Sequence, residues 1–521
     1  MASSTPTLRE SSVETQKFRT HMGRISRQSG VFFVGTAFTI CAGYLFKVYL
    51  ARVLGAEALG IYALGMTLVG FFGIFNGLGL PESAVRFIAA YAAKGETGRV
   101  RGFLWRSTGI LTGANAVFVT IFLLSGSWIA TRFYHSVALP GYLYLFALML
   151  PFAAVRTFFE KAMAGFKDVS RRTFIVNFVG TPTTIVIAVL LIMSGTGLKG
   201  YLYAQIASSA IVVLLLVLAI RQLMPGGTLH AASGVKEKLG SEVRSFSAVV
   251  LGMGFLGFLM AQADKITLGY FLGAKQVGIY AVAAALVAYV PIALNSVNQI
   301  FAPTISDLHT RGDYPVLLRL FQTLTKWVIA VTLPLAAVIV VFARPVMGIF
   351  GRDFEVGWPI LIIGTVGELV NCGVGSVGFL LLMSGHQRRL MKIQIVSAVV
   401  VVILNVLLVP HWGILGAAVA AATTNVITNA WYLLQVRSVL HLSPYNRSYF
   451  RLVVPTLSTV GVLWALYAMT AEVTHSVPLI IGALLVSYTV FLAGLLLFGL
   501  TEDDRMILAT ARQRLEGLLA G

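Results

Sequence analysis

The sequence predicts an all-α integral membrane protein with about fourteen transmembrane helices, arranged as two parallel six-helix lobes plus two C-terminal helices. Composition is the first observation: of 521 residues, 57% are hydrophobic and 11% charged, against about a quarter charged in soluble domains. The second is a series of apolar runs of about 20 residues, the length that crosses roughly 30 Å of hydrocarbon. The third is a repeat. Leu54–Ala63, LGAEALGIYA, returns 218 residues later as Leu272–Ala281, LGAKQVGIYA, with seven of ten positions identical.

Taken in order, the polar, Ser/Thr-rich residues 1–24 read as a disordered cytoplasmic tail. Spans at 29–51, 59–80, 103–127, 139–159, 173–194 and 200–221 make an N-lobe over 25–222. The Gly-rich, polar segment 223–242 is a cytoplasmic linker. Spans at 246–270, 277–300, 325–347, 358–383, 389–410 and 414–436 make a C-lobe over 243–437. Two more, 450–470 and 477–499, occupy 438–499 and lie outside the repeat. Residues 500–521 open with Thr501, Asp503 and Asp504, a good helix start, and read as a cytoplasmic amphipathic tail.

An even number of spans puts both termini on one side. With that side cytoplasmic, 31 of the 39 Lys and Arg residues fall in inner segments, the bias expected of a multi-pass protein of the cell membrane. Six spans per copy preserve orientation, so the copies run parallel about an axis along the membrane normal. Each repeat motif marks a turn between two spans. Gly55 and Gly273 supply the backbone freedom there.

The net charge of +19 is therefore a membrane-topology signal and implies no nucleic acid. Outer connections are short, the longest running from about Ala343 to Gly357, and none holds a His/Cys metal spacing or a carboxylate cluster. The sequence has no phosphate-binding loop of the G-x-x-x-x-G-K-[ST] type. Cys41 and Cys372 both sit in apolar runs as small hydrophobes. No cofactor, metal site or catalytic residue is expected, and a transporter is expected over an enzyme.

Ionisable groups inside spans are costly in lipid and face protein or a wet cavity. Glu368 lies about 15 Å into its span at 1.5 Å per residue, with Asn371 and Cys372 on its face. It is a candidate ion or proton site, or part of the substrate path, and the bland alternative is an interhelical hydrogen bond. Lys265, with Asp264 beside it and Gln262 one turn earlier, has Lys47 as its counterpart 218 residues before. The two lysines are expected to line one central cationic cavity; snorkelling to the outer interface is the alternative. For Arg52 headgroup contact and cavity lining are both open. Glu82 and Arg86 are spaced for a helix-end ion pair, and Arg156 with Glu160 and Lys161 reads as a helix-end anchor; contact with substrate is the secondary alternative for both clusters. Asn295, Asn298 and Gln299 share one face, as do Asn425 and Asn429, for hydrogen bonding between helices or to sugar hydroxyls.

Val53–Ala56 with Gly60–Tyr62, Gly79–Phe87 (GLPESAVRF), Asp264–Gly273 (DKITLGYFLG) and Val277–Tyr280 resemble the polysaccharide-exporter branch of the multidrug/oligosaccharidyl-lipid/polysaccharide (MOP) superfamily, the Wzx-type O-antigen flippases. The resemblance covers nearly the whole chain. It implies a flippase that moves a polyprenyl-diphosphate-linked oligosaccharide to the outer leaflet by alternating access, for lipopolysaccharide or other cell-surface glycan assembly. It further implies a cationic cavity, here Lys47, Arg52 and Lys265, coupling to H+ or Na+, and lipid and polysaccharide-assembly partners. Two alternatives stay open: a drug or small-molecule antiporter of the same superfamily, and a membrane-embedded glycan polymerase or ligase.

Overall fold

The computed structural model describes residues 8–224, 241–470 and 477–497, and every element in them is a helix. The helices are α1 (Leu8–Asn76), α2 (Leu80–Ala93), α3 (Thr97–Trp128), α4 (Leu143–Gly165), α5 (Val169–Thr173), α6 (Thr181–Leu191), α7 (Gly197–Leu223), α8 (Ser241–Phe271) and α9 (Ala274–Val287). There follow α10 (Ile292–Arg311), α11 (Tyr314–Val341), α12 (Ala343–Gly348), α13 (Trp358–Val374), α14 (Val377–Met383), α15 (Gln387–Leu440), α16 (Val453–Met469) and α17 (Val477–Leu497).

Among the described residues ten helical stretches are long and apolar enough to cross a membrane, or eleven with α9 and α10 taken as one bent span. Three of these stretches each match two of the predicted spans. They are broken at glycines with dihedrals closed to larger residues: Gly55 (φ 79°, ψ 174°), Gly195 (φ 86°, ψ 7°) followed by Gly197, and Gly413 (φ 59°, ψ −134°). Three spans expected to be continuous are interrupted, one of them, 325–347, at Phe342 between α11 and α12. The 277–300 span bends by 50° before α10, where Pro291 has no N–H to carry the helix on, and the 358–383 span breaks at Gly375 (φ 71°).

Within the 1–24 segment α1 already begins at Leu8. Between Leu8 and Met22 the chain has neither Gly nor Pro, and Glu10, Glu14, Gln16, Lys17 and Arg19 are good helix formers. The 223–242 linker lies outside the described residues over 225–240, and the 500–521 tail lies wholly outside them.

By internal contacts the chain forms two compact units. One comprises Met1–Leu50 and Gly65–Phe255, the other Ala51–Leu64 and Leu256–Gly521. Relative to the two repeats, the first turn has joined the second unit and the start of α8 has joined the first.

The first unit is built around α4, which packs on α2, α3 and α7. Its core is aromatic: Phe87, Phe103, Phe158 and Phe159 are buried together with Ile88, Leu104 and Met163. Gly79 (φ 67°) turns the chain into α2, with Pro81 in the first turn. A Cβ on Gly79 would lie 2.4 Å from the Ser247 carbonyl, and the Ser83 and Ser247 hydroxyls meet at 2.8 Å. The GLPES motif is therefore a docking point for α8.

In the second unit α13 packs on α9, α11 and α15, while α16 and α17 pack on each other and on α11. Phe301, Phe321, Leu380 and Leu381 anchor the core. Gly273 (φ 88°, ψ 179°) repeats the conformation of Gly55 to within about 10°. The two turns also pack reciprocally: a Cβ on Gly60 would meet the Ala274 carbonyl at 1.7 Å, and one on Gly278 the Ala56 carbonyl at 1.9 Å. Residues 56 and 274, and 60 and 278, are repeat equivalents. The local arrangement is that of a two-fold axis.

Candidate functional site

Four helices of the second unit, α8, α9, α13 and α15, converge on a cavity of about 260 Å³. Asp264 enters it from α8, Glu368 from α13, and Thr424, Asn425 and Thr428 from α15. The sequence places Glu368 near mid-membrane, and the fold brings Asp264 to the same space from 104 residues earlier in the chain.

Amides hold the Glu368 carboxyl on both sides. Asn371 Nδ2 donates to Oε2 at 2.9 Å and Asn425 Nδ2 to Oε1 at 3.1 Å. Asn429 in turn donates to the Asn425 side-chain oxygen at 2.6 Å, so the chain of donors ends on the carboxyl. Among the described residues no Lys or Arg pairs with Glu368. Four potential oxygen donors on α13 and α15 thus share one space with a second acid.

Asp264 is held differently. Its Oδ1 accepts the Lys265 backbone N–H at 2.7 Å, and the Lys265 ammonium lies 3.8 Å away. The buried Tyr280 hydroxyl also bonds Asp264. Tyr280 belongs to the repeated GIYA motif, and the repetition was its visible signal; its role in orienting an acid depends on a contact between α8 and α9.

Lys265 Nζ also donates to Gln262 Oε1 at 2.9 Å and to the Ala261 carbonyl at 3.3 Å. Lys47, its repeat counterpart, is exposed and makes no hydrogen bond or ion pair with a described residue. The two lysines are equivalent in sequence and unlike in surroundings. Arg52 donates from Nε to the Ile349 carbonyl at 2.7 Å, which ties the first repeat turn to the connection after α12.

The expected Glu82–Arg86 pair is replaced. Glu82 binds Lys161 at 2.9 Å, and the Arg86 guanidinium lies over the rings of Phe87 and Phe246, 5.4 and 4.9 Å from their centroids. The approach of α4 offers Glu82 a partner on a neighbouring helix, whereas Phe246 offers Arg86 a π-face. Arg156 binds Glu160 at 2.7 Å, and Arg172 approaches the same carboxylate at 3.7 Å. Asn295 and Gln299 are exposed on α10 while Asn298 is buried with its Oδ1 unpartnered, so the three do not act as one face. Sequence reasoning also missed Asn76 and Asn115, both buried, whose side chains bond at 2.7 Å; isolated amides in apolar runs carried no spacing signal.

Among the described residues no group of three His, Cys, Asp or Glu side chains could hold a metal ion.

The family model described as "Polysaccharide biosynthesis protein" matches residues 25–309. A relative from Haloferax volcanii, described as the probable low-salt glycan biosynthesis flippase Agl15, is 28% identical over 191 residues, 36% of this chain and 40% of that protein. The match thus spans less than half of the relative. Among solved structures, the lipid II flippase MurJ in an inward closed conformation superposes with a TM-score of 0.67 at 12% identity, covering 89% of this chain and 97% of that one. An inward-facing MATE family multidrug resistance transporter of the MOP superfamily gives 0.64 at 15% identity, covering 76% and 94%. At these identities the likeness is one of fold: the chain has the fold of multi-pass MOP superfamily transporters.

Proposed function

Because this chain belongs to the polysaccharide biosynthesis protein family, we propose that it is a flippase carrying a polyprenyl-diphosphate-linked oligosaccharide from the cytoplasmic to the outer leaflet of the cell membrane. The family match carries the reading, and physical chemistry defines the task. A diphosphate bearing sugars cannot enter hydrocarbon without losing its hydration, and an uncompensated charge there costs several kcal/mol or more. The protein must replace that water with cations and amides while the polyprenyl chain stays in lipid. No bond is made or broken.

In this reading Lys47, Arg52 and Lys265 meet the diphosphate. The absence of a hydrogen-bond or ion-pair partner for Lys47 among the described residues supports that role. Asp264 and Glu368 take the coupling H+ or Na+. Their shared cavity supports that role: a cation entering it would find two carboxyls and three oxygen-bearing side chains. The same acids are the one observation that favours the other reading, a small-molecule antiporter, because they could equally receive an organic cation.

The test is reconstitution in liposomes with a sugar-labelled polyprenyl-diphosphate oligosaccharide, whose arrival outside is read by an external glycosidase under imposed pH and Na+ gradients. Protein-dependent arrival, faster under one gradient, is the expected result. No arrival under any gradient, together with gradient-driven efflux of small organic cations, would replace the flippase with the antiporter.

A further inference from the structure

The second unit carries a larger cavity of about 770 Å³, at the helix ends where α8 meets α9, α13 begins and α15 breaks at Gly413. By the Lys and Arg count this is the outer end. Its walls are mostly apolar, and four side chains stand out: Arg344, Arg352, Trp358 and Trp412. Trp358 is 41% exposed and Trp412 57%.

Charge accounting around the cavity leaves one cation over. Glu355 pairs with Arg344 at 3.3 Å, and Asp353 with Lys275 at 3.2 Å. Both local acids are thereby used, and Arg352 makes no hydrogen bond or ion pair with a described residue. Arg344 spends only its Nε on Glu355, so its two terminal nitrogens remain available.

Trp412 is not demanded by the fold. Gly197 in the first repeat (φ 56°, ψ −133°) has the same dihedrals as Gly413 (φ 59°, ψ −134°), yet Thr196 stands before Gly197 where Trp412 stands before Gly413. The break needs the glycine; it does not need the indole. Indoles favour the membrane interface, where one edge meets lipid and the other water. Guanidinium groups favour phosphate oxygens, which they bind through paired N–H groups.

We propose that the cavity bounded by Arg344, Arg352, Trp358 and Trp412 is a binding site for the phosphate headgroup of a lipid, with Arg352 as the main phosphate contact and the indoles covering the first carbons of the chains. A lipid phosphate can come from a bulk anionic phospholipid or from a polyprenyl diphosphate. The site stands on its own geometry and does not depend on the transport reading.

Native mass spectrometry of the full-length protein in detergent, titrated separately with phosphatidylglycerol, phosphatidylcholine and polyprenyl diphosphate, tests this. Arg352→Gln should weaken binding of an anionic lipid about tenfold, the equivalent of one charge-assisted contact, and Trp412→Ala should weaken it too. Arg388→Gln, an exposed arginine at the opposite helix ends, should leave it unchanged. Loss confined to phosphatidylglycerol identifies the bulk phospholipid, and loss confined to polyprenyl diphosphate the carrier lipid. Equal binding of all three lipids, or anionic binding that Arg352→Gln leaves intact, overturns the proposal. Because Arg352 makes no hydrogen bond or ion pair with a described residue, its substitution leaves the fold to carry the comparison; unchanged thermal unfolding checks that.

Discussion

Glu368 and Lys47 are the most informative single residues, for opposite reasons. Glu368 has an amide on each carboxyl oxygen, so Glu368→Gln turns an acceptor into a donor facing Asn371 or Asn425 and removes the charge. Transport is expected to lose its response to the driving gradient and to fall about tenfold, with a cost of about 1–3 kcal/mol for the mismatched group. A gradient response equal to wild type would exclude Glu368 from coupling. Lys47→Ala is the clearer test of headgroup contact than Lys265→Ala. Lys265 is bound to Gln262 and lies beside Asp264, so its loss also disturbs an acid, whereas Lys47 has no described partner to disturb. The flipping rate of Lys47→Ala should drop several-fold at unchanged expression, and a wild-type rate would remove it from the mechanism. The sequence spoke plainly at both positions, because an ionisable group within an apolar run is conspicuous. What surrounds Glu368 was hidden, since Asn425 and Asp264 come to it from other helices.

At the scale of elements, glycine breaks and close crossings decide where helices turn and touch. Gly278→Ala would place a methyl 1.9 Å from the Ala56 carbonyl, and backbone cannot step aside as a side chain does. It is expected to destabilise the second unit by about 1–3 kcal/mol or more, lowering the unfolding temperature in detergent. Gly43→Ala is the control, with nothing within 4 Å of the added carbon. The last two helices have an equally local attachment. Ser487 donates to the Pro334 carbonyl at 2.9 Å and Tyr488 to the Val331 carbonyl at 3.0 Å, both in the stretch of α11 that the proline disturbs. Removing both hydroxyls with Ser487→Ala and Tyr488→Phe should cost about 0.6 kcal/mol each, the usual size of such bonds in membranes. The unfolding temperature in detergent should fall; an unchanged value would show that apolar packing alone holds these helices.

For the whole molecule the decisive question is orientation, which the distribution of Lys and Arg assigns and labelling can check. In a Cys41→Ser background, with Cys372 buried, Val356→Cys should react with a membrane-impermeant maleimide in intact cells. Gln387→Cys should react only after permeabilisation. The reverse pattern would invert the molecule and with it the direction of flipping.

The order of apolar runs, the repeated motif and the glycine turns could be read from the chain, because hydropathy and a ten-residue repeat are local properties that lipid enforces along each span. Local pattern also exposed which charges are buried in apolar runs. Tertiary structure alone decided their partners: Glu82 with Lys161 in place of Arg86, Asp264 with Tyr280 and in one cavity with Glu368, and the repeat turns seated on one another through Gly60 and Gly278. The physical reason is range. A helix specifies which residues share its own face, while the groups that meet across a cavity depend on how separate helices pack, and no spacing within one helix encodes that.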